Sequence, residues 1–140
     1  MSLRDKIKMS EEELSSFLQK QISLQIGTIN KDGSPHLTTM WYLYDGENFI
    51  FHTYTKSQKI INLKRDSRIT LLTEAGSQYS DLQGIIVYGN AEIINGKDSL
   101  EEVIRYMEMV GEKYIKDEEG SQYIEGMKLQ APKRSVVVVK

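Results

Sequence analysis

The segment HTYTKSQKI, residues 52–60, concentrates groups that could bind an anion. Residues 56–66, KSQKIINLKRD, predict a short helix with Ser57 as its N-cap, and the first N–H groups of a helix have no acceptor within it. Lys56 and Lys59 stand at this helix start, where the helix dipole already concentrates positive charge. The groups that could converge on a phosphate are the N–H groups of residues 58–60, the hydroxyls of Thr53, Thr55 and Ser57, and the Lys59 ammonium.

The other two predicted helix starts, SEEEL at 10–14 and DSLEE at 98–102, carry acids, as the helix dipole favours. If Lys56 and Lys59 instead point into water, their placement costs only about 0.3–1 kcal/mol each. The spacing alone leaves an anion site and solvent-facing lysines equally open. The segment contains no P-loop pattern, so it does not indicate a nucleoside triphosphate.

A second candidate is the run TTMWYLY, residues 38–44, which carries the only tryptophan of the chain. Side chains alternate between the two faces of a strand, so Trp41 shares a face with Thr39 and Leu43 and lies opposite Tyr42. One face would enter the core, and the other could offer flat apolar contact to a planar aromatic ligand. Ordinary core packing on both faces explains the same pattern.

Composition excludes several other chemistries. There is no cysteine, which removes disulfides, thiolate catalysis and cysteine-based zinc sites, and with only two histidines a metal site is not expected. His36 follows a proline in a turn, and His52 is expected to point away from Phe51 as a hydrogen-bonding residue. The net charge of −2 gives no general footprint for nucleic acid.

These candidates must be positioned by short strands and three main helices. At 140 residues the chain is expected to form a single domain, 1–140. Helices are predicted at 10–21, 57–66 and 99–116. The segment 116–133 is expected to be irregular, with one helical turn near Tyr123. Strands are predicted at 23–30, 36–44, 49–53, 68–74, 84–94 and 135–139, the last of them buried on both faces.

The strands suggest a closed architecture. Asp-Gly turns at 32–33 and 45–46 favour antiparallel pairing. Six short strands need closure to hide their edges, so the expected fold class is mainly β with peripheral helices (α+β), a six-stranded antiparallel barrel. Glycines at 84 and 89 suggest a bend or a close backbone approach within the strand at 84–94.

No membrane or export signal is evident. The N-terminal residues MSLRDKIKMSEEEL are charged and lack an apolar stretch, and no apolar run reaches the roughly 20 residues that span a bilayer. The chain is therefore expected to be a soluble, cytoplasmic protein that does not contact a membrane.

Taken in order, these segments resemble the pyridoxamine 5′-phosphate oxidase-like family of FMN-binding split-barrel proteins. The resemblance lies in a helix followed by SLQIGTINKDGSPHLTTMWYLYDGENFIFHT, then the segment 53–59, KIINLKRDSRITLL and GIIVYGNAEII. It covers residues 10–95 best. It implies a split barrel that forms a homodimer, with FMN in two equivalent clefts at the interface and a small-molecule substrate.

The resemblance also implies roles for individual residues. Lys59 and Thr53 would contact the FMN phosphate, residues 38–41 would line the ribityl chain and isoalloxazine largely through backbone, and residues 78–83 of the other subunit would close the site. Tyr42 and His52 are the candidates for catalysis. The expected cofactor-binding residues are Thr38, Thr39, Met40, Trp41, His52, Thr53, Ser57, Gln58, Lys59 and Gln83; no metal ligand is expected.

The chain departs from this family in two places. Many members have an arginine near Gln58 or Ile61, so phosphate binding would depend more heavily on Lys59. The oxidase itself carries an arginine-containing C-terminal segment that grips pyridoxal phosphate, whereas this sequence ends at KRSVVVVK, so oxidation of pyridoxamine phosphate is not expected.

The expected function is that of an FMN-dependent oxidoreductase. An F420-dependent reductase of the same fold is an alternative, although no extended basic groove for the acidic F420 tail can be traced beyond Lys56, Lys59, Lys64 and Arg65. A flavin-binding or sensing module without turnover is a third possibility, so the sequence leaves enzymatic activity open.

Overall fold

The computed structural model describes residues 2–140 and contains a curled antiparallel sheet flanked by helices. The strands are β1 (Leu24–Ile29), β2 (Pro35–Met40), β3 (Leu43–Tyr44), β4 (Phe49–Tyr54), β5 (Arg68–Ala75), β6 (Gln83–Asn95) and β7 (Arg134–Val139). The helices are α1 (Leu3–Ile7), α2 (Glu11–Lys20), α3 (Gln58–Arg65), α4 (Leu100–Tyr114) and α5 (Glu118–Lys128). Short 3₁₀ turns lie at Tyr79–Asp81 and Ala131–Lys133.

The long strand β6 joins the two halves of the sheet, whose strand order is β2-β1-β5-β6-β7-β4-β3. Its first part, from Gln83 to Asn90, pairs with β5, and its second part, from Ala91 to Asn95, pairs with β7. A side chain at Gly89 would place its Cβ only 2.6 Å from the carbonyl oxygen of Lys140, which confirms the predicted close backbone approach. This shared strand curls the sheet into the split barrel that the sequence predicted.

The barrel has seven strands instead of six, because the predicted strand 36–44 breaks at Trp41 and Tyr42. The N–H of Tyr42 donates to the Tyr114 hydroxyl at 3.0 Å instead of bonding to a neighbouring strand. The Tyr42 hydroxyl donates to the carbonyl of Leu18. The chain leaves one edge of the sheet at β2 and enters the opposite edge at β3. The prediction of one continuous strand was therefore wrong, and the break marks the opening of the split barrel.

Residues 116–133 are not irregular, since they form α5 and the following 3₁₀ turn. The Asp117 side chain caps the helix by accepting the N–H of Gly120 at 2.7 Å. Glycine at 120 also makes room for the side chain of Ile115, which a Cβ there would overlap at 1.3 Å. Two glycines, 120 and 126, lower helix propensity, and this explains why the sequence pattern failed to predict the helix. The short helix α1 was not predicted either.

Two apolar clusters share β7. Val137 and Val139 lie inside the barrel, whereas Val136 and Val138 lie beneath α4. The predicted burial of this strand on both faces is confirmed. Among residues 2–140, no helix combines the length and apolar character needed to cross a bilayer.

Candidate functional site

The start of α3 leaves three backbone donors without protein acceptors. Ser57 has the extended conformation of an N-cap, but its side chain makes no capping hydrogen bond. Within residues 2–140, the first bond that enters the helix runs from the N–H of Ile61 to the Ser57 carbonyl at 3.1 Å, so the N–H groups of residues 58–60 remain free. The hydroxyls of Ser57 and Thr53 lie 3.4 Å apart beside these donors. By contrast, side chains cap both α2 and α5.

Lys59 adds a cation to the same turn. Only 8% of the residue is exposed, and no carboxylate oxygen within residues 2–140 lies close enough to pair with its ammonium group. Burial lowers the pKa of Lys59, because desolvation disfavours the charged form. An anion at the helix start would therefore satisfy the free N–H groups and supply the missing counter-charge.

A buried amide, Asn62, holds α3 against β1. Its Nδ2 donates to the Thr28 hydroxyl at 3.0 Å and to the Asn30 side chain at 2.9 Å. Its Oδ1 accepts from Gln58 at 2.8 Å and from Arg65 at 3.1 Å. Asn62 was not predicted as a functional residue, although a polar residue beside the apolar positions of the helix was a signal. The amide of Gln58 is engaged here and directed along the helix.

Trp41 lies at the opening of the barrel with one ring face already covered. Its ring stacks on Tyr114 with centroids 4.4 Å apart and an interplanar angle of 4°. The Tyr114 hydroxyl donates to the Ile22 carbonyl at 2.7 Å and accepts the N–H of Tyr42. Trp41 remains 44% exposed, so part of it is available to a ligand. Tyr114 could not be recognised from sequence, because it lies more than 70 positions away on α4.

The two candidates for catalysis are both enclosed. Tyr42 is fully buried, and burial raises the pKa of its phenol well above the usual value. The Lys113 Nζ lies 3.6 Å from the centre of the Tyr42 ring and has no hydrogen-bond partner within residues 2–140. Burial lowers the pKa of Lys113 to about 8. These contacts make Tyr42 part of the packing between α2 and α4.

His52 lies on the outer face of β4, opposite Phe51, in a narrow space with Trp41 and α5. Its Nδ1 is 3.2 Å from the guanidinium of Arg134, which can only donate, so Nδ1 is the acceptor and the ring proton is on Nε2. Burial, followed by the charge of Arg134, lowers the pKa of His52 to about 4. His52 is therefore neutral at pH 7.

The predicted residues of β2 occupy an edge strand. Thr38 and Met40 pair with Ile26 and Leu24 and face the barrel interior, whereas Thr39 pairs with Gln25 and faces outward. The Thr38 hydroxyl is buried and finds no hydrogen-bond partner in the part of the chain that the structure describes. Because β2 pairs only with β1, its other edge leaves backbone donors and acceptors for a ligand.

The structure therefore brings together four of the predicted residues, Thr53, Ser57, Gln58 and Lys59. His52 points to the other face of β4. Gln83 lies at the beginning of β6, where it lines a shallow cavity with α2. Within residues 2–140, no group of three or more histidine, aspartate or glutamate side chains is arranged to hold a metal ion.

Comparison with known proteins identifies relatives of this fold. The family model described as pyridoxamine 5′-phosphate oxidase matches residues 10–138. No curated protein matches the sequence. The structure is similar to that of the conserved hypothetical protein Rv2991 from Mycobacterium tuberculosis, with 35% identity and a TM-score of 0.83 over 100% of this chain and 85% of that chain.

Two more distant structures share the fold alone. An F420 reductase is 20% identical, with a TM-score of 0.69 over 90% of this chain and 90% of that chain. The haem storage protein HutZ from Vibrio cholerae is 15% identical, with a TM-score of 0.72 over 93% of this chain and 88% of that chain.

Proposed function

The chain belongs to the pyridoxamine 5′-phosphate oxidase family, and from this premise we propose that it is an FMN-dependent oxidoreductase that works as a homodimer on a small-molecule substrate. The observation that carries the proposal is the start of α3. There, three N–H groups that are free within residues 2–140, the Ser57 hydroxyl and the Lys59 ammonium occupy one helical turn beside the Thr53 hydroxyl of β4.

The residues present fit the phosphate of FMN. A phosphate offers three acceptor oxygens, which would take bonds from the N–H groups of residues 58–60 and from Thr53 and Ser57. Its negative charge would offset the desolvation that lowers the pKa of Lys59. The free edge of β2 would contribute backbone donors, and the Trp41–Tyr114 pair would contribute a flat apolar wall.

When bound, FMN would supply hydride chemistry, and the protein would hold it in place and exclude water. Proton transfer is assigned to neither His52 nor Tyr42. His52 is neutral at pH 7 and could only donate through Nε2, whereas the Tyr42 hydroxyl is committed to the carbonyl of Leu18.

The outer face of β2, β1, β5 and β6 supports the homodimer. Leu37, Ile86 and Tyr88 are exposed there to 72%, 58% and 79%, with Leu72 beside them. A contiguous apolar patch of this kind is typical of an interaction surface. In a homodimer, residues 78–83 of the partner subunit are the ones expected to complete the cofactor site.

Titration with FMN tests the proposal. The wild-type protein should bind FMN, and Lys59→Ala should weaken binding about 10- to 100-fold, because a hydrogen bond to a charged group contributes about 1.5–3 kcal/mol. Lys64→Ala removes an exposed lysine from the far end of the same helix and serves as the matched control. Circular dichroism of each variant checks that the fold is retained. Failure of the wild-type protein to bind FMN, or equal binding by Lys59→Ala, would refute the proposal.

The fold shared with an F420 reductase makes F420 the alternative cofactor. Parallel titrations with FMN and F420 decide between them, since the cofactor of this protein should bind more tightly. A separate assay addresses turnover: flavin reduction by NADH or NADPH followed by reoxidation with an added acceptor supports an oxidoreductase. Bound flavin that stays inert in both steps would indicate a binding or sensing module.

A further inference from the structure

A cavity of about 650 Å³ opens where three loop segments meet, on the side of β4 that carries Tyr54. It is lined by residues 54–57 before α3, by Asn95 at the end of β6, by Lys97 in the turn that follows, and by residues 132–133 before β7. This volume lies within the range of about 300–1,000 Å³ that is usual for small-molecule sites. Residues 55–57 belong to the anion candidate that the sequence predicted, whereas Asn95, Lys97 and residues 132–133 were not predicted to form part of any site.

Hydrogen bonds hold the three segments in fixed positions. The N–H of Thr55 donates to the Lys133 carbonyl at 2.8 Å, and the hydroxyls of Thr55 and Ser135 are 2.8 Å apart. The N–H of Gly96 donates to the carbonyl of Arg134, also at 2.8 Å. A ligand would therefore meet a preformed wall, and little ordering of the protein would oppose binding.

Three lysines from separate parts of the sequence converge on this cavity. Lys56, Lys97 and Lys133 line it, and no carboxylate among the described residues does. Within residues 2–140, none of the three has a carboxylate oxygen within 4.0 Å, whereas Lys128 and Lys140 each pair with a glutamate. In a protein with net charge −2, three unpaired lysines in one cavity leave a local excess of positive charge that an anionic ligand would neutralise.

The ring of Tyr54 forms an aromatic wall of the cavity. The Arg134 guanidinium lies 4.3 Å from the centre of the Tyr54 ring, and the Tyr54 hydroxyl donates to Gln130 at 3.0 Å. These two contacts fix the ring while leaving the residue 48% exposed. The arrangement therefore combines fixed aromatic surface with positive charge and the hydroxyls of Thr55 and Ser57.

We infer that this cavity binds a phosphorylated small molecule that carries at least two negative charges and an aromatic group. Lysines are compact point charges that suit phosphate oxygens, and the neighbouring hydroxyls add donors. The Tyr54 ring would contact the aromatic group. The cavity is distinct from the proposed FMN phosphate site, because Lys59 does not line it, although Ser57 borders both.

Calorimetric titration with three probes tests the chemistry of the ligand. Adenosine diphosphate and inorganic pyrophosphate should both bind, with affinities that fall as salt is added, and adenosine should not. Adenosine diphosphate should bind more tightly than pyrophosphate if Tyr54 contacts the base. Binding of adenosine as tight as that of the diphosphate would overturn the inference, and so would failure of both phosphorylated probes.

Paired variants test the location. The double variant Lys97→Ala/Lys133→Ala should weaken binding of adenosine diphosphate by at least about tenfold, since it removes two charged partners. The control double variant Lys31→Ala/Lys116→Ala removes the same charge from exposed positions outside the cavity and should bind as the wild type does. Equal weakening in both double variants would show only a general effect of charge and would contradict the inference.

Variants at each place separate this cavity from the proposed flavin site, because FMN is itself a phosphorylated aromatic molecule and could enter both. Lys59→Ala should weaken FMN binding at the proposed flavin site while leaving the diphosphate affinity unchanged, and Lys97→Ala/Lys133→Ala should weaken the diphosphate alone. Weakening of both ligands by either variant would mean one shared anion site and would refute a second one. A protein that binds the diphosphate but not FMN would retain this inference and lose the proposed function.

Discussion

The amide of Asn62 can be tested directly as the group that holds α3 in place. Asn62→Leu retains a buried side chain of similar size but removes all four hydrogen bonds of the amide. The critical partner is Thr28, which is only 2% exposed and whose hydroxyl has no other bonding partner within residues 2–140. The substitution therefore leaves a buried hydroxyl unsatisfied.

The expected loss of stability in Asn62→Leu follows from the burial of these hydrogen-bond partners. Gln58 and Arg65 are exposed and Asn30 is half-buried, so their bonds can be replaced by water at little cost. An unsatisfied buried hydroxyl costs about 1–3 kcal/mol, and the leucine returns part of this through burial of apolar surface. We expect the free energy of unfolding to fall by about 1–3 kcal/mol, which moves the urea midpoint by roughly 1 M.

A double-mutant cycle measures the interaction between Asn62 and Thr28. Thr28→Val removes the hydroxyl that Asn62→Leu leaves unsatisfied, so the double variant should be more stable than Asn62→Leu alone by about 1 kcal/mol or more. Gln58→Ala, which removes an exposed partner of the same amide, is the control and should change stability by less than about 0.5 kcal/mol. Urea unfolding followed by the fluorescence of the single tryptophan gives the stability of the wild type and of all four variants.

Unfolding of Asn62→Leu at the same urea concentration as the wild type would contradict this expectation. A double variant no more stable than Asn62→Leu would contradict it too, because the buried Thr28 hydroxyl would then carry no penalty. Either result would mean that α3 is held by its apolar contacts alone.

Two further predictions concern the residues around the opening of the barrel. The pKa of His52 is lowered to about 4 from an ordinary 6.5, so its stabilising contribution is complete above pH 6.5 and is lost as pH falls toward 4. His52→Gln should abolish this loss of stability, which is worth at most about 3 kcal/mol, in unfolding curves recorded across that pH range against the wild type. A pH dependence identical to that of the wild type would contradict the prediction. Tyr114→Phe keeps the ring that stacks on Trp41 but leaves the N–H of Tyr42 without a partner, so stability should fall by about 1–3 kcal/mol with little change in tryptophan emission. Unchanged stability in urea unfolding would show that the hydroxyl contributes nothing.

Local periodicity predicted much of the fold. Alternation and Asp-Gly turns identified most strands, because a half-buried strand needs apolar residues at every second position. The interruption at Trp41 and Tyr42 could not be predicted in the same way. It depends on contacts with Leu18 and Tyr114, and both lie outside the local pattern. Helix α5 was missed because Gly120 and Gly126 lower helix propensity, and Gly120 is required by its packing against Ile115.

In the candidate site, too, some features follow from the sequence alone and others depend on the tertiary structure. The sequence by itself determined that lysines and hydroxyls gather at the start of α3, because neighbours in a chain remain neighbours in a helical turn. Only the tertiary structure decided that Lys59 is buried without a counter-ion, that Tyr114 covers one face of Trp41, and that Lys56, Lys97 and Lys133 line one cavity. These contacts join residues tens of positions apart, and the free energy that brings them together comes from burial of the whole sheet, which no local pattern records.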